Sequence, residues 1–297
     1  MIRLPKSLAH SKIAASGVTG REWIAGLPEL LDGLVRQWSC VPDGPVAHGQ
    51  VGIVVPVRRR SRAAVIKVSF PRWADMCEAD AYEVWDGAGA VRLYERADDR
   101  FAMMLERGGG ALASAGDEEA LTIQGRLTRR LAVDAPAHLP QLSHQMSRWE
   151  REIRTATETL DHHLPRAAID AALTTLREWG PHQPNTLVHG DLHDANILAS
   201  GREPWLAIDP RGQVGDPAYD AFNVIRSPRF APLLATADPR PGVLRLLDIY
   251  CAAADIDVEW ARRWTQAGAV HEALWGRAHG DPGWLVHATD RLALALT

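Results

Sequence analysis

The stretch His189-Gly-Asp-Leu-His-Asp-Ala-Asn-Ile-Leu198 is the densest group of polar side chains in a chain of 297 residues. Short apolar runs of strand length flank it, Thr186-Leu-Val188 before it and Trp205-Leu-Ala-Ile208 after it. The second run ends directly before Asp209, thirteen residues after Asn196. The sequence therefore predicts a strand that leads into a loop presenting a carboxylate and an amide, and a second strand that delivers another carboxylate.

The spacing within this stretch indicates phosphoryl transfer. That reaction uses a carboxylate to orient the attacking hydroxyl and accept its proton, and oxygen ligands to hold Mg²⁺ against the nucleotide phosphates. In kinase catalytic loops the base follows a His by two residues and precedes an Asn by five. Asp191 has His189 and Asn196 at these positions. Because the chain contains only three Asn, a chance match of this kind is roughly a one-in-a-hundred event by composition.

A single internal lysine supports the same chemistry. The chain has 33 basic residues, of which only Lys6, Lys12 and Lys67 are lysines. Lys67 lies inside the apolar run Ala63-Ala-Val-Ile-Lys-Val-Ser-Phe70. A compact ammonium that acts on phosphate as a point charge would explain a lysine there. The alternative is an incidental solvated lysine at a strand edge.

The patterns before and after Gly108-Gly-Gly110 differ, so these glycines are the best boundary within the chain. Before them, β-branched runs at 51–57 and 63–70, separated by the basic turn Arg58-Arg-Arg-Ser-Arg62, predict a hairpin. A capping box, Thr19-Gly-Arg-Glu22, opens a helix that Pro28 is expected to split. The remaining predicted elements are helices over 74–87, 117–133, 143–162 and 165–179 and strands over 91–94 and 101–105.

The loop, together with Ile208-Asp-Pro210, resembles the aminoglycoside phosphotransferase family. The segment from Trp205 to Asp220 is similar in particular to the branch of streptomycin 6-phosphotransferases and hydroxyurea phosphotransferases. Segments 85–93, 104–107 and 264–275 are also similar to that branch, so the resemblance extends over most of residues 20–285.

The resemblance implies an α+β, two-lobed, protein-kinase-like fold. Its N-lobe, residues 1–107, would bind the nucleotide and contain a five-stranded antiparallel sheet with one packed helix. Its C-lobe, residues 108–297, would be mostly helical and would hold the catalytic loop, the metal ligands and the acceptor-binding helices. ATP would lie between the lobes.

The implied reaction is transfer of the γ-phosphoryl group of ATP to a hydroxyl of an aminoglycoside such as streptomycin, with Mg²⁺ as cofactor. Asp191 would be the catalytic base, and Asn196 and Asp209 would hold the Mg²⁺. The residues that would brace the loop through hydrogen bonds are His189, Asp216 and Asp220.

The resemblance also implies a nucleotide site. Lys67 would contact the α- and β-phosphates and pair with Glu78, for which Asp80 is a rival. Gly49-Gln-Val-Gly52 would cover the phosphates, although it lacks the fuller G-x-G-x-x-G pattern of protein kinases. The segment Leu105-Glu106-Arg-Gly108 would be the hinge whose backbone groups contact the adenine, with Glu106 contributing its backbone alone.

A cationic acceptor would require carboxylates and flat aromatic surface. In His271-Glu-Ala-Leu-Trp275, Glu272 and Trp275 are three residues apart on a predicted helix and hence on roughly one face. The hypothesis is that this face lines the acceptor site. The alternative is that Trp275 belongs to the core and Glu272 is solvated.

Three other functions fit parts of the pattern. The loop could supply metal ligands to a hydrolase, an interpretation that leaves Lys67 and Asn196 unexplained. Those ligands would be His189, Asp191, His193 and Asp194. A kinase fold without catalysis would be a binding module, but the base, a metal ligand and the lysine are all present. The acceptor could also be another small hydroxyl compound, such as hydroxyurea or a choline-like or sugar-like metabolite.

Composition excludes several classes of partner. A net charge of −4 gives no reason to expect nucleic acid or an anionic membrane surface. No apolar run is long enough to span a bilayer, and no signal peptide is apparent at the N-terminus. Three widely spaced cysteines suit a reducing compartment. We therefore expect a cytoplasmic enzyme acting on a small, cationic molecule.

Overall fold

The structure is a computed structural model that describes residues 2–49, 52–71, 77–161 and 164–297. The chain divides into two compact units. Unit 1 comprises residues 1–87 and 91–108, and unit 2 comprises residues 88–90 and 109–297. In the described ranges, no helix is both long enough and apolar enough to cross a membrane.

Unit 1 begins with a long helix, α1, Lys6–Gln37. The backbone leaves the helical conformation at Gly17, where φ is 54°, and the predicted capping box begins two residues later. Pro28, which was expected to split the helix, lies inside it. Leu27 and Leu31 are fully buried in the core of unit 1. This packing retains the helix through a residue that cannot donate its backbone bond.

An antiparallel sheet forms most of the rest of unit 1. Its strands are β1 Val41–Pro42, β2 Ala47–His48, β3 Gly52–Arg59, β4 Arg62–Ser69, β5 Leu93–Ala97 and β6 Ala102–Glu106. Their order is β1-β3-β4-β6-β5, with β2 also beside β3. The predicted number of five is one too low for the described residues, because β1 and β2 have two residues each and give no alternating pattern.

Alternate residues of β4 face opposite sides of this sheet. Ile66 and Val68 are fully buried in the cluster that contains the α1 leucines. Lys67 therefore points to the other face, where helix α2, Glu78–Trp85, lies. Because β4 lies between β3 and β6, Lys67 is on an inner strand and not at a sheet edge. The predicted helix began at 74, and residues 74–76 lie outside the described part of the chain.

Unit 2 is mostly helical. Its helices are α3 Asp117–Leu131, α4 Leu142–Thr159, α5 Arg166–Trp179, α6 Asp220–Ile225, α7 Ala231–Leu234, α8 Arg240–Ala254, α9 Val258–His279 and α10 Gly283–Ala295. The predicted helices at 117–133, 143–162 and 165–179 correspond to α3, α4 and α5. These helices enclose one hydrophobic core that includes the fully buried Trp264.

Two small antiparallel sheets of unit 2 position the polar loop. Their strands are β7 Val133–Asp134, β8 Thr186–Val188, β9 Ile197–Ala199, β10 Trp205–Ala207 and β11 Gln213–Val214. β8 lies between β7 and β11, and β9 pairs with β10. The loop of residues 189–196 thus runs from the end of β8 to the start of β9. β8 and β10 correspond to the two predicted strands that flank the loop, and β9, between the loop and β10, was not predicted.

Candidate active site

The buried ring of His189 holds the start of the loop. Its Nδ1 accepts the backbone N–H of Asp191 at 3.2 Å, and its Nε2 lies 2.9 Å from the carbonyl oxygen of Ile208. Because Nδ1 is an acceptor, the proton sits on Nε2 and is donated to Ile208. Burial lowers the pKa of His189 to about 4, which keeps the ring neutral near pH 7. His189 thus ties the loop to the segment that leads to Asp209.

Helix α6 holds the next residue, Gly190. Its N–H donates to Oδ1 of Asp220 at 2.9 Å, and its carbonyl accepts from Nδ2 of Asn223 at 3.0 Å. Gly190 has a φ of 80°, and a Cβ there would lie 2.7 Å from Oε1 of Gln213. Burial raises the pKa of Asp220 to about 7. The loop backbone is therefore fixed from two sides.

The polar contacts of the Asp191 carboxylate with the described residues are made through Oδ1. Its Oδ1 lies 3.5 Å from Nη2 of Arg226 and 4.0 Å from Nε2 of His193. No residue in the described ranges forms a hydrogen bond with Oδ2. Because its backbone is fixed and one carboxylate oxygen is open, Asp191 can orient a hydroxyl and accept its proton.

The hairpin of β9 and β10 brings Asn196 and Asp209 to the same end. The N–H of Ile208 donates to the carbonyl of Asn196 at 2.9 Å, directly before Asp209. The Asn196 amide donates through Nδ2 to the carbonyl of Asp191 at 2.9 Å, which leaves Oδ1 for a ligand. Asp209 has a φ of 57°, a left-handed conformation that Asp tolerates. Amide and carboxylate oxygens suit Mg²⁺, so this pair fits that ion.

Asp216 is a second buried carboxylate with structural contacts. Its Oδ1 accepts the N–H of Ala218, and its Oδ2 accepts the indole N–H of Trp264, both at 2.9 Å. Burial raises the pKa of Asp216. Its own N–H donates to Gln183 at 2.9 Å. These contacts hold the chain between β11 and α6, and through α6 they support Gly190.

The metal-hydrolase interpretation finds no support in this geometry. Both ring nitrogens of His189 are engaged by the backbone. Asp194 accepts from Nε of Arg229 at 3.2 Å and from the hydroxyl of Ser227 at 3.0 Å. Across the described ranges, no three His, Cys, Asp or Glu side chains are grouped as ligands of one metal ion.

In unit 1 the internal lysine forms a buried ion pair. Nζ of Lys67 lies 2.7 Å from each carboxylate oxygen of Glu78. Lys67 is 5% exposed and Glu78 is 8% exposed, so the pair is shielded from water. Asp80 instead pairs with Arg96 of β5 at 3.0 Å. Of the two acids left open by the sequence, Glu78 is therefore the one bound to Lys67.

The two glycines of the predicted phosphate loop differ. The N–H of Gly49 donates to the carbonyl of Gly52 at 3.1 Å; Gln50 and Val51 lie outside the described residues. A Cβ at Gly52 would be 2.2 Å from the carbonyl oxygen of Val68, so the close approach of β4 explains this glycine. Nothing lies within 4 Å of a Cβ at Gly49, which leaves its role in the loop open.

The predicted hinge begins where β6 ends. The N–H of Glu106 donates to the carbonyl of Arg92 at 2.8 Å, and its carboxylate accepts the N–H of Arg92 at 3.1 Å. Arg107 pairs with Asp43 at 2.8 Å, and Gly108 is the last residue of unit 1. The carboxylate of Glu106 is thus engaged within the sheet of unit 1.

The structure separates the two residues predicted to line the acceptor site. Glu272 lies 3.1 Å from Nη1 of Arg226, which also contacts Asp191, and burial raises the pKa of Glu272. Trp275 stacks on His279 with ring centroids 4.0 Å apart and lines a different cavity, of about 310 Å³, between α4 and α9. Trp275 is 42% exposed, so it is not a core residue either.

Sequence reasoning missed Asn223, Arg226 and the indole of Trp264 as parts of this site. Asp220, Asn223 and Arg226 follow one another at intervals of three, which places them on roughly one face of a helix. That spacing was the available signal. The Trp264 bond to Asp216 is a long-range contact with no local signature.

Comparisons with known proteins place the chain in a family. A model of the aminoglycoside/hydroxyurea antibiotic resistance kinase family matches residues 37–280. A streptomycin 6-kinase of Streptomyces griseus is 34% identical over 279 residues, covering 92% of this chain and 91% of the relative. A hydroxyurea phosphotransferase of Kitasatospora aureofaciens is 29% identical, with coverage of 95% and 82%.

A solved structure provides the comparison of folds. A thermostable mutant of aminoglycoside phosphotransferase APH(4)-Ia, in ternary complex with AMP-PNP and hygromycin B, has a TM-score of 0.58 at 12% identity. The match covers 89% of this chain and 97% of that one. This likeness confirms the protein-kinase-like α+β fold predicted from the sequence.

Proposed function

Because the chain belongs to the aminoglycoside/hydroxyurea antibiotic resistance kinase family and is therefore a phosphotransferase, we propose that it transfers the γ-phosphoryl group of ATP to a hydroxyl of an aminoglycoside such as streptomycin. The streptomycin 6-kinases at 34% and 32% identity support this acceptor over hydroxyurea, whose phosphotransferase is 29% identical. Hydroxyurea remains the second candidate because the family description includes it.

The geometry of the loop carries the proposal. Asp191 is the base: its main chain is held by His189 and Asn196, and its Oδ2 is left open to an acceptor hydroxyl. Positioning and charge stabilisation supply most of the rate in such reactions, since the protein forms no covalent intermediate. A loop braced by Asp220 and Asn223 is the rigid support that positioning requires.

Two groups of residues serve the nucleotide in this proposal. Lys67, held by Glu78, contacts the α- and β-phosphates, and the segment Gly49–Gly52 covers them. The backbone of Glu106 and Gly108 contacts the adenine. Mg²⁺, when bound, neutralises charge on the transferring phosphoryl group. Oδ1 of Asn196 and the carboxylate of Asp209 would hold it.

A balance of charges supports a cationic acceptor. Asp191 and Glu272 share one guanidinium, that of Arg226, so this group of three side chains carries a net charge of −1. Glu272 is sufficiently buried that its pKa is raised, and an added cation would relieve that cost of burial. We assign Glu272 to the acceptor. Trp275 lines the separate cavity between α4 and α9, so it would contact the acceptor only where the acceptor enters that cavity.

The test is a coupled assay of ADP release with streptomycin, hydroxyurea and an amino alcohol, with and without Mg²⁺. We expect Mg²⁺-dependent release with streptomycin, and loss of at least about 10³-fold in kcat for Asp191→Ala, because general-base catalysis contributes about 10²–10⁴-fold and lost positioning adds to it. Nucleotide binding should survive. Asp248→Ala, which removes an exposed carboxylate on α8, is the control.

Different results would revise different parts of the proposal. Release of ADP with hydroxyurea alone would replace the acceptor and keep the base. Retention of more than about a tenth of wild-type kcat by Asp191→Ala would remove the base assignment. No acceptor-dependent release with any compound would overturn the kinase proposal for these acceptors.

A further inference from the structure

Arg226, at the C-terminal end of α6, connects several parts of the candidate site. Its Nη1 lies 3.1 Å from Oε1 of Glu272, and its Nη2 lies 3.5 Å from Oδ1 of Asp191. Its Nε donates to Oδ1 of Asn223 at 3.3 Å, and the guanidinium lies 5.4 Å from the ring centroid of Phe222. One planar group therefore links α9, α6 and the loop after β8.

The orientation of the Asp191 carboxylate depends on this group. Hydrogen bonds fix the backbone of Asp191 but leave rotation about its side-chain bonds free. Oδ1 has two ion-pair contacts in the described part of the chain, to Arg226 at 3.5 Å and to His193 at 4.0 Å. The distance to His193 is beyond a hydrogen bond. Arg226, which carries a permanent full charge, exerts the stronger pull.

Glu272 holds Arg226 in turn. The contact between them is shorter than the one to Asp191, and the Glu272 side chain is 21% exposed. Asn223 provides the second anchor, and its amide also donates to the carbonyl of Gly190. The side chain of Asn223 therefore holds both the guanidinium of Arg226 and the backbone of the loop.

We propose that Arg226 is a positioning residue that fixes the Asp191 carboxylate through Oδ1, so that Oδ2 faces the acceptor hydroxyl, and that Glu272 acts on the base through it. This rests on the proposed function, in which Asp191 is the base. Glu272 then has two separable effects: one on kcat through Arg226, and one on acceptor KM through its own charge.

A planar fork is needed for this task. The guanidinium donates in several directions at once, whereas an ammonium is a point charge on a flexible stem. A lysine at position 226 could reach one carboxylate but could not contact Asn223, Glu272 and Asp191 together. Arg226→Lys should therefore retain an intermediate kcat, between those of wild type and Arg226→Gln.

The experiment is a double-mutant cycle on kcat with streptomycin as acceptor. Arg226→Gln should lower kcat by about 10–100-fold, the scale expected when a catalytic group is misplaced by about 1 Å. Glu272→Gln should lower it by about 3–10-fold. The double variant should have the kcat of Arg226→Gln alone, because Glu272 has nothing left to position. The KM for ATP should be unchanged throughout.

Measurements of Tm distinguish a positioning role of Arg226 from a role in folding alone. Arg226→Gln leaves Glu272 without its guanidinium and should lower Tm, whereas the double variant removes both charges and should recover Tm. Recovery of Tm without recovery of kcat supports the proposal. Recovery of both would show that Arg226 contributes only to folding, and would overturn it.

A matched control pair includes a residue of α9, the helix that also carries Glu272. Arg277 of α9 pairs with Asp290 of α10 at 2.5 Å, with side-chain exposures of 21% and 19%. Arg277→Gln should lower Tm but leave kcat within about twofold of wild type, since surface and structural pairs contribute to stability alone. Equal kcat losses at 226 and 277 would contradict a specific role for Arg226.

The outcomes separate this inference from the proposed function. If wild type is active and Arg226→Gln retains wild-type kcat, the positioning role is wrong and the base assignment stands. Multiplicative kcat losses in the double variant would show that Glu272 acts independently of Arg226. An Asp191→Ala variant that stays active removes the base, and with it this inference.

Discussion

Each of the two units contains an ion pair that the proposed function uses, and the two pairs are built in opposite ways. Lys67 and Glu78 in unit 1 have side-chain exposures of 6% and 10%, and the ammonium lies 2.7 Å from both carboxylate oxygens. Arg226 and Glu272 in unit 2 have exposures of 29% and 21%, and the guanidinium is shared with Asp191. The first pair, which is shielded from water, is called the closed pair, and the second, which is partly exposed, the open pair.

The difference shows what each pair can do. A buried, fully matched pair has one low-energy arrangement, and removing either charge leaves the other without compensation. Such a pair suits a constant task, such as holding an ammonium towards phosphate. A partly exposed guanidinium between two carboxylates can accommodate a further cation and responds to salt. That suits contact with a variable acceptor.

The largest effect should come from exchanging cation types at the closed pair. Lys67→Arg should lower kcat by about 100-fold or more, because a planar fork cannot replace a compact ammonium between Glu78 and the nucleotide phosphates. Steady-state kinetics with saturating ATP would measure it. The reciprocal exchange, Arg226→Lys, should have a smaller effect, of about tenfold. Near-normal turnover by Lys67→Arg would remove the lysine from the proposed site.

The acid partner of the closed pair should show the next largest effect. Glu78→Gln should lower kcat/KM by about 10–100-fold, because Lys67 would lose the group that fixes it. Asp80→Asn is the matched control on the same helix, since Asp80 pairs with Arg96, and it should change kcat/KM by less than about threefold. A larger loss for Asp80→Asn would mean that the Arg96 pair matters more than the Lys67 pair.

Features formed by residues close together in the sequence could be predicted from it, whereas features formed by distant residues could not. The loop at 189–196 and its flanking strands were predictable because local spacing and short apolar runs encode them. The resemblance named Glu78 as the partner of Lys67, with Asp80 as a rival, but local spacing could not decide between them, because the two acids differ by two positions on a helix and face different directions. Which one meets the lysine depends on how α2 packs and on the position of Arg96 in β5.

Long-range and generic contacts account for most of what was missed. Arg226 did not stand out by residue type, because nearly every cation of this chain is arginine, and only its spacing from Asp220 and Asn223 marked it. Glu272 and Trp275 do lie on one helix, but α9 has neighbours on several sides, and they contact different ones. Pro28 was predicted to split α1, but the burial of Leu27 and Leu31 on either side of it keeps the helix continuous there. Tertiary packing overrode local propensity there.

The open pair should respond to ionic strength. Glu272→Gln should raise the KM for streptomycin by about 5–10-fold at low salt, because it removes an electrostatic contact made in the ground state. The increase should shrink at about 300 mM salt, where the Debye length is only several ångströms. The KM for ATP should stay the same. An unchanged streptomycin KM at about 20 mM salt would exclude Glu272 from the acceptor site.

The last effect is on stability alone and concerns the support beneath both Asp191 and Arg226. The pKa of Asp220 is raised to about 7 by burial, so the folded protein binds this proton more tightly than the unfolded chain. Its contribution to stability is present at low pH and is lost as pH rises towards about 7. Asp220→Asn keeps an acceptor for the N–H of Gly190 but cannot ionise.

The Tm of the Asp220→Asn variant minus that of wild type should therefore increase by roughly 5 °C between about pH 5 and about pH 7, and then level off. Scanning calorimetry across this range would measure the difference. A difference that is flat, or that falls with pH, would mean that Asp220 is ionised in the folded protein throughout, and that the loop is braced by a charge instead of a neutral acid.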